Sequence, residues 1–252
     1  MMQEKFFVIN DAGCSVKCKL YTSDGETKKL VLFCHGFGGH KDNKAAARFA
    51  DRALSKNKEA AVMTFDWPCH GDDARRRLRL ADCGAYMGLA VKALQAKFPQ
   101  AELYGYATSF GAYLTLKYVA ENGSPFVKLA LRCPAVNMYE VLTESIIGPE
   151  EQKRLSKGRE ALVGFDRKIK IDPPFLAELR AADITGWNYT DAAESILILH
   201  GTKDEIVPFE TARDFAARNQ IRFIPVENAD HRFIDSLKMD AASQEILQFF
   251  AF

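Results

Sequence analysis

A serine lies where an apolar strand pattern turns directly into a helix pattern. Residues 101–106 are typical of a buried strand, and residues 110–121 carry apolar side chains at helical spacing. Ser109 falls between them, with Ala107 and Gly111 two positions to either side. A strand that reverses into a helix within one turn strains its central residue and accommodates only small neighbours. The pattern favours a serine nucleophile on a sharp turn, with Ala107 standing where the usual motif has glycine.

An acid and a histidine follow later in the chain, each just after a strand pattern. Asp204 follows the apolar run 195–200, and His231 follows the run 221–226. A serine hydroxyl is a poor nucleophile at neutral pH unless a neighbouring base takes its proton, and a carboxylate holds an imidazole base in the correct tautomer. The order Ser109, Asp204, His231 therefore predicts a catalytic triad in which the histidine is the base.

Other side chains could fill the roles of acid and base. Asp66 follows a different strand, and Asp230 is adjacent in sequence to the histidine that it would have to orient. His70 is the alternative base. His35 and His70 each begin a His-Gly pair at a strand end, which favours structural hydrogen bonds, and His200 closes a buried strand, which favours a hydrogen-bonded core residue.

A glycine-rich segment after an apolar strand pattern offers amide donors for an oxyanion. Residues 29–34 lead directly into residues 35–40, His-Gly-Phe-Gly-Gly-His. A tetrahedral oxyanion needs preorganised N–H donors, and loss of one typically costs about 100- to 1000-fold in rate. The predicted donors are the backbone N–H groups of Phe37 and Phe110. Phosphate binding is the alternative, but neither a Gly-Lys-Ser/Thr ending nor GxGxxG spacing is present.

The elements that must position these residues alternate between strands and helices. The strand patterns cover residues 6–9, 16–21, 29–34, 60–66, 101–106, 127–132, 195–200 and 221–226, and the helical patterns cover 43–56, 81–97, 110–121, 210–218 and 235–249. This alternation predicts an α/β fold with a mostly parallel sheet of about eight strands, opened by an antiparallel pair and flanked by helices. The candidate catalytic residues all fall at the carboxyl ends of their strands, where they would meet.

Five motifs together resemble the α/β-hydrolase superfamily. They are residues 35–39, His-Gly-Phe-Gly-Gly; residues 65–71, Phe-Asp-Trp-Pro-Cys-His-Gly; the turn around Ser109; residues 199–204, Leu-His-Gly-Thr-Lys-Asp; and Asp230-His231. Within that superfamily the chain is similar to the small serine esterases, which include cinnamoyl or feruloyl esterase-like, monoacylglycerol lipase-like and serine aminopeptidase-like enzymes. The resemblance covers about residues 5–250.

This resemblance implies an α/β-hydrolase fold and a serine hydrolase that cleaves carboxylic esters through an acyl-enzyme. The same triad would serve amide, peptide, thioester or lactone hydrolysis, and the sequence leaves these open. The alternative of another class is a non-catalytic hydrolase fold that binds a ligand or acts as a scaffold, because fold does not dictate function. The presence of all three triad candidates favours an enzyme.

One interval interrupts the alternation of strands and helices. Residues 135–190 are too many for a bare loop, and they carry short helical patterns at 138–147, 149–155 and 174–181. They predict a small helical cap inserted after the sixth strand, so that residues 1–134 and 191–252 would form the hydrolase core. The cap residues expected to shape the substrate pocket are Tyr139, Leu142, Ile146, Phe165, Phe175 and Trp187.

Composition excludes several other classes of protein. A chain of 252 residues with 48% hydrophobic residues can build one large α/β core with an inserted subdomain. A net charge of +1 gives no long-range field for nucleic acid or an anionic membrane. The one conspicuous basic run, at residues 75–79, is typical of a solvated face, and binding of an acidic substrate group is the alternative. We therefore expect a small-molecule ester as the partner, and the oligomeric state stays open.

The cysteines and the amino-terminal residues bear on compartment and cofactors. The apolar stretch near the amino terminus is too short for a signal peptide, and no window is apolar enough for a membrane span, so we expect a cytoplasmic protein. The six cysteines are scattered, which favours reduced thiols. Cys14 and Cys18 lack a second Cys or His pair at zinc spacing, so no metal site is expected. The serine hydrolase that the resemblance implies needs no cofactor.

Overall fold

An eight-stranded sheet runs through the centre of the protein, whose computed structural model describes residues 2–11, 13–73, 77–165 and 167–252. The strands in these described ranges are β1 (Gln3–Asp11), β2 (Cys14–Thr22), β3 (Lys29–Cys34), β4 (Ala60–Phe65), β5 (Glu102–Thr108), β6 (Leu129–Arg132), β7 (Ala161–Val163), β8 (Ile169–Ile171), β9 (Ile196–Gly201) and β10 (Arg222–Val226). The central sheet has the order β1-β2-β4-β3-β5-β6-β9-β10, and β7 pairs only with β8.

The direction of the strands matches the sequence prediction. β1 and β2 are antiparallel to each other, β2 is antiparallel to β4, and the remaining neighbours in the central sheet are parallel. Parallel strands covered on both faces are apolar throughout, and every residue of β4, β6 and β9 is buried. The predicted mostly parallel sheet of about eight strands is confirmed.

Helices cover both faces of this sheet. They are α1 (Lys44–Lys56), α2 (Leu80–Lys97), α3 (Phe110–Asn122), α4 (Met138–Glu140), α5 (Pro149–Ser156), α6 (Pro173–Ala181), α7 (Phe209–Arg218) and α8 (Ser236–Phe249). Because alternate residues of a strand point to opposite faces, Val31 and Phe33 pack with α1 and α8, whereas Leu30 and Leu32 pack in a second core with α2 and α3. None of the helices in the described ranges is long and apolar enough to cross a membrane.

The segment between β6 and β9 forms a separate layer on the second core. α4 continues into a π-helical turn, Val141–Ile146, which is followed by α5, the β7–β8 hairpin, α6 and a 3₁₀ helix, Thr190–Ser195. The hairpin was not predicted, because three-residue strands are too short to show a two-residue hydrophobic period. The insertion after the sixth strand therefore combines helices with a small hairpin.

An ion pair joins this insertion to the core. Arg79 donates two hydrogen bonds to the carboxylate of Asp172, at 2.8 and 2.6 Å, and Tyr113 Oη donates to the carbonyl oxygen of Ala182 at 2.9 Å. Arg79 was predicted to lie on a solvated face with its neighbours; instead its guanidinium holds the N-terminus of α6 against the core. Arg75 and Arg76 of the same run lie outside the described residues.

Candidate active site

The turn around Ser109 has the geometry that its small neighbours predicted. Ser109 lies between β5 and α3 with φ of 52° and ψ of −120°, a backbone conformation that residues other than glycine rarely adopt. A Cβ on Gly111 would lie 2.4 Å from the carbonyl oxygen of His35 and 2.6 Å from that of Cys34. Ala107 is fully buried beside Cys34 in the sheet, so its methyl group fits where the usual motif has glycine.

Replacing Gly111 with alanine is expected to destabilise the fold, because the new methyl group would collide with backbone rather than with a mobile side chain. We expect the free energy of unfolding to fall by about 1–3 kcal/mol or more. Gly84→Ala is the matched control, since Gly84 lies inside α2 with open space around it and should gain about 0.5–1 kcal/mol. Urea denaturation measures both; equal effects of the two substitutions would contradict the packing around Ser109.

The structure brings together the three residues of the predicted triad. His231 Nε2 lies 3.1 Å from Ser109 Oγ, and His231 Nδ1 lies 2.8 Å from Asp204 Oδ2. The Asp204 side chain is fully buried, and that of His231 is only 12% exposed. When Nδ1–H donates a hydrogen bond to the carboxylate, Nε2 keeps a free lone pair that can accept the serine proton.

Hydrogen bonds keep Asp204 ionised. Its Oδ1 accepts the backbone N–H groups of Ile206 and Val207 at 2.9 and 2.8 Å, and its Oδ2 lies 3.2 Å from His200 Nε2 as well as beside His231. Burial raises the pKa of this carboxyl, but the hydrogen bonds from His200 and His231 outweigh burial and hold the pKa well below its usual range. Asp204 can therefore orient an imidazole and stabilise it as a cation.

His200 is a contact of the acid that the sequence did not reveal. It is fully buried, as expected of a core residue, but its Nε2 lies between Asp204 Oδ2 and the Val207 carbonyl oxygen, 3.1 Å from the latter. Its Nδ1 has no hydrogen-bond partner among the described residues. The available signal was spacing, since His200 ends the apolar run 195–200 and lies four residues before Asp204.

Cys133, His200 and Asp204 have ligand atoms that all lie within 4.8 Å of one another. This is the one group in the described part of the chain with spacing that could hold a metal ion. Burial raises the pKa of the Cys133 thiol well above its usual range, so the sulfur stays protonated and is a poor ligand. Asp204 Oδ2 is also engaged by both histidines, and the cluster fits a hydrogen-bonded support for the acid better than a metal site.

The glycine-rich loop after β3 lies beside Ser109 in a fixed conformation. His35 Nδ1 lies 2.8 Å from the Gly36 carbonyl oxygen, and the N–H of Gly39 donates to the same oxygen at 3.0 Å. Phe110 is the first residue of α3, so its N–H has no acceptor within the helix. The N–H of Phe37 likewise has no acceptor among the residues that the structure describes. Neither of the two predicted oxyanion donors near Ser109 thus has an acceptor in the part of the chain that the structure describes.

The other candidate acids and bases have partners elsewhere. Asp66 is fully buried and accepts the backbone N–H groups of Lys41 and Asp72, at 2.7 and 2.9 Å. Asp230 accepts the N–H of Ile234 at 3.1 Å. His70 Nδ1 lies 2.8 Å from the Pro68 carbonyl oxygen, which fits the structural role expected of it.

Two buried histidines, His35 in the glycine-rich loop and His70 close to it, should make stability depend on pH. Burial lowers the pKa of His70 to about 4 and that of His35 well below 6.5. In the unfolded chain the histidine pKa is 6.5. Between pH 6.5 and about pH 4 the unfolded chain therefore binds a proton at His70 that the folded protein does not, and the free energy of unfolding falls as the pH drops. His70 alone should cost about 2 kcal/mol on going from about pH 8 to pH 5.

The His70→Asn variant tests this dependence. Asparagine can still donate to the Pro68 carbonyl oxygen but does not titrate, so the loss of stability on acidification should shrink by about 2 kcal/mol. Urea denaturation at several pH values gives the slope, and the difference between the two proteins at about pH 8 gives the cost of the substitution itself. Parallel stability profiles for variant and wild type would contradict a neutral buried His70.

A cavity of about 350 Å³ opens beside Ser109, and only part of the predicted pocket lines it. Ile146 and Phe165 do so. Leu142 and Phe175 are fully buried between the insertion and the sheet, so their apolar character serves the core. Tyr139 and Trp187 do not line this cavity either; Tyr139 lies under the guanidinium of Arg180, and Trp187 packs at the edge of the core.

Comparison with known proteins establishes the family. Residues 25–161, more than half of the 252-residue chain, match the model of the family described as serine aminopeptidase, S33. The chain belongs to this family of α/β hydrolases. The protein is therefore an enzyme of the hydrolase class. No match was found among curated proteins.

Solved structures of low sequence identity share the α/β-hydrolase fold of the whole chain. Est1E from Butyrivibrio proteoclasticus with ferulic acid bound is 18% identical, with a TM-score of 0.75 over 98% of this hydrolase and 100% of that chain. The α/β-hydrolase domain-containing protein 10 from mouse is 16% identical, with a TM-score of 0.72 and 98% of each chain covered. The esterase domain of a Rhodothermus marinus protein is 21% identical, with a TM-score of 0.68 over 97% and 96% of the chains.

Proposed function

We propose that this α/β hydrolase cleaves carboxylic esters through an acyl-enzyme formed on Ser109. The observation that carries the proposal is the chain of contacts from Ser109 Oγ to His231 Nε2, at 3.1 Å, and from His231 Nδ1 to Asp204 Oδ2, at 2.8 Å. A nucleophile, a base and an orienting acid at these distances are the parts that acyl transfer requires.

The first half of the reaction forms the acyl-enzyme. His231 Nε2 takes the proton of Ser109 Oγ as the oxygen attacks the acyl carbon of the ester, and Asp204 stabilises the imidazolium that results. The N–H groups of Phe37 and Phe110 donate to the oxyanion of the tetrahedral intermediate. When that intermediate collapses, the bond to the alcohol oxygen breaks and His231 returns the proton to the departing alcohol.

Water completes the reaction at the same groups. His231 Nε2 takes a proton from water as its oxygen attacks the acyl carbon, and a second tetrahedral intermediate forms at the same donors. Collapse of this intermediate breaks the bond to Ser109 Oγ, releases the carboxylic acid and returns the proton to the serine. The chemistry needs no group beyond these side chains, the two amides and water.

The same proposal assigns residues 135–190 the role of a cap over the cavity. Ile146 and Phe165 of this segment line the cavity beside Ser109, and the Arg79–Asp172 ion pair holds the segment against the core. A cavity of about 350 Å³ suits a small ester, and the cap would then select among acyl or alcohol groups by shape.

Amide hydrolysis is the second candidate, because the family is described as serine aminopeptidase. Ser109, His231 and Asp204 would act as before. The difference is that an unprotonated nitrogen would have to leave as an amide anion, a much poorer leaving group than an alkoxide, so proton donation by His231 must accompany the breaking of the C–N bond.

Paired chromogenic substrates decide between the candidates. A p-nitrophenyl ester series from acetate to laurate, methyl ferulate, and the p-nitroanilides of the same acids are assayed with wild type, Ser109→Ala and the control Ser156→Ala, which changes an exposed serine at the end of α5. Ester turnover that is lost only in Ser109→Ala supports the proposal. Turnover of anilides alone favours amide hydrolysis, and no turnover of either by folded protein favours a ligand-binding or scaffold role.

A further inference from the structure

A buried arginine near Ser109 has no acidic partner among the residues that the structure describes. Arg132 ends β6 and is only 7% exposed, and its Nε has no hydrogen-bond partner among the described residues. Its Nη1 lies 2.9 Å from Met239 Sδ, a weak acceptor, and its guanidinium lies 5.1 Å from the centre of the Phe233 ring. Burying an unpaired charge costs several kcal/mol, so evolution rarely leaves one in a core without a use.

The position of Arg132 connects it to the reaction centre. Its backbone pairs with Thr108 in the parallel register of β5 and β6, and its carbonyl oxygen accepts the N–H of Ser109 at 3.0 Å. The residue also lines the cavity into which Ser109 and His231 face. A rigid strand therefore places Arg132 at the wall of the same cavity as the proposed nucleophile.

Other parts of the cavity wall also carry positive charge. Arg167 lines the cavity beside His40, and burial together with the charge of Arg167 lowers the pKa of that histidine. The first turn of α1 reaches the wall through Ala45, and the N-terminus of a 13-residue helix carries partial positive charge. No aspartate or glutamate is among the described residues that line the cavity.

Part of the cavity wall is apolar. Phe33, Ile146, Phe165 and Ile206 line the same cavity. A guanidinium paired with a carboxylate forms charge-assisted hydrogen bonds, often two in parallel. A substrate with a short carbon skeleton and one carboxylate would therefore match both the apolar and the charged parts of this wall.

We propose that Arg132 and Arg167 form an anion subsite, and that the substrate is an ester whose acyl or alcohol part carries a carboxylate. This inference rests on the proposed ester hydrolysis at Ser109. The carboxylate compensates the positive charges of Arg132 and Arg167 at the cavity wall, while the ester carbonyl lies at the serine. Arg132, at the end of β6, then contributes to the preference for an anionic ester, and the cap selects among substrates by their shape.

Two matched pairs of esters test the subsite by kinetics. The acyl pair is p-nitrophenyl hexanoate and p-nitrophenyl hydrogen adipate, and the alcohol pair is methyl 4-acetoxybenzoate and 4-acetoxybenzoate. In one pair at least, wild type should favour the anionic ester by about 10-fold or more in kcat/KM. Arg132→Gln should remove most of that preference, Arg132→Lys should restore part of it, and Arg167→Gln should weaken it.

Arg159→Gln is the control for the charge change, because Arg159 is exposed and does not line the cavity. The Arg159→Gln protein should favour the anionic ester over the neutral one by the same factor in kcat/KM as wild type. Circular dichroism and thermal unfolding establish that Arg132→Gln is folded; if it is not, the exposed Arg167 supplies the test, since its replacement does not disturb the core.

Calorimetric titration with adipate separates this inference from the proposed hydrolysis. Binding to wild type that is weakened about 10-fold or more in Arg132→Gln or Arg167→Gln supports the subsite even if no ester is cleaved, in which case the ester proposal alone is wrong. Turnover of neutral esters with no preference for anionic ones, and no binding of adipate, overturns the subsite and leaves ester hydrolysis standing.

Discussion

Ser109→Ala is expected to lower kcat/KM for a p-nitrophenyl ester by at least about 10⁴-fold. The reason is that Ser109 Oγ is the atom that lies within reach of His231 Nε2, and alanine leaves the base with nothing to activate. His231→Ala should cause a loss of similar size, because the hydroxyl then keeps its proton. Initial rates with purified, folded proteins measure both effects.

Non-additivity is the sharper part of this prediction. Once Ser109 is gone, removing His231 should cost almost nothing further, because residues that act as one unit give non-additive losses. Ser156→Ala, a change at an exposed serine, should keep full activity. A Ser109→Ala protein that retained more than about a tenth of the wild-type kcat/KM would remove this serine from the mechanism.

Asp204→Asn is expected to lower kcat by about 10⁴-fold while the protein stays folded. Asparagine can still accept the N–H groups of Ile206 and Val207, which bond Asp204 Oδ1 at 2.9 and 2.8 Å. It cannot stabilise an imidazolium, and its NH₂ group turned toward His231 would place the imidazole in the wrong tautomer. The measurement is kcat with a p-nitrophenyl ester, accompanied by thermal unfolding.

Asp230→Asn is the matched control for the acid. Asp230 is adjacent to His231 in sequence, but its carboxylate accepts the N–H of Ile234 and makes no bond to the imidazole. The substitution should change kcat by less than about threefold. If Asp230→Asn were the more damaging of the two, the assignment of the acid to Asp204 would be wrong.

The sequence was informative where structure is determined locally. The eight strands of the central sheet were predictable because an apolar run between turn residues marks a buried strand whatever lies around it. The candidate triad followed from the same pattern, since residues after parallel strands collect at one edge of the sheet. Ser109, Asp204 and His231 could therefore be grouped from the sequence, and the structure places them within hydrogen-bond distance of one another along the chain Ser109–His231–Asp204.

The pocket was less predictable because burial depends on how elements pack. Leu142 and Phe175 have the same apolar character as Ile146 and Phe165, yet the first two lie in the core and the last two line the cavity. Leu142 and Ile146 are four residues apart in the same helical turn and so lie on similar faces. The sequence does not say at which residue this face leaves the core and reaches the cavity.

Charged residues at strand ends were the other gap. Arg132 follows Leu131 as the last residue of an ordinary buried strand, and the sequence gives no sign that its charge is left without a carboxylate. His200 was placed in the core correctly, but its contact with Asp204 depends on how the loop after β9 turns back. Both features become visible only when the neighbours across the sheet are known.

The central claim is that His231 activates Ser109 as a nucleophile, and a serine-directed fluorophosphonate tests it without any choice of substrate. Intact mass and peptide mapping should find one adduct, on Ser109, in wild type, no adduct in Ser109→Ala, and labelling slowed at least about 100-fold in His231→Ala. Folded wild-type protein that takes no label, or takes it on another serine, would contradict the account.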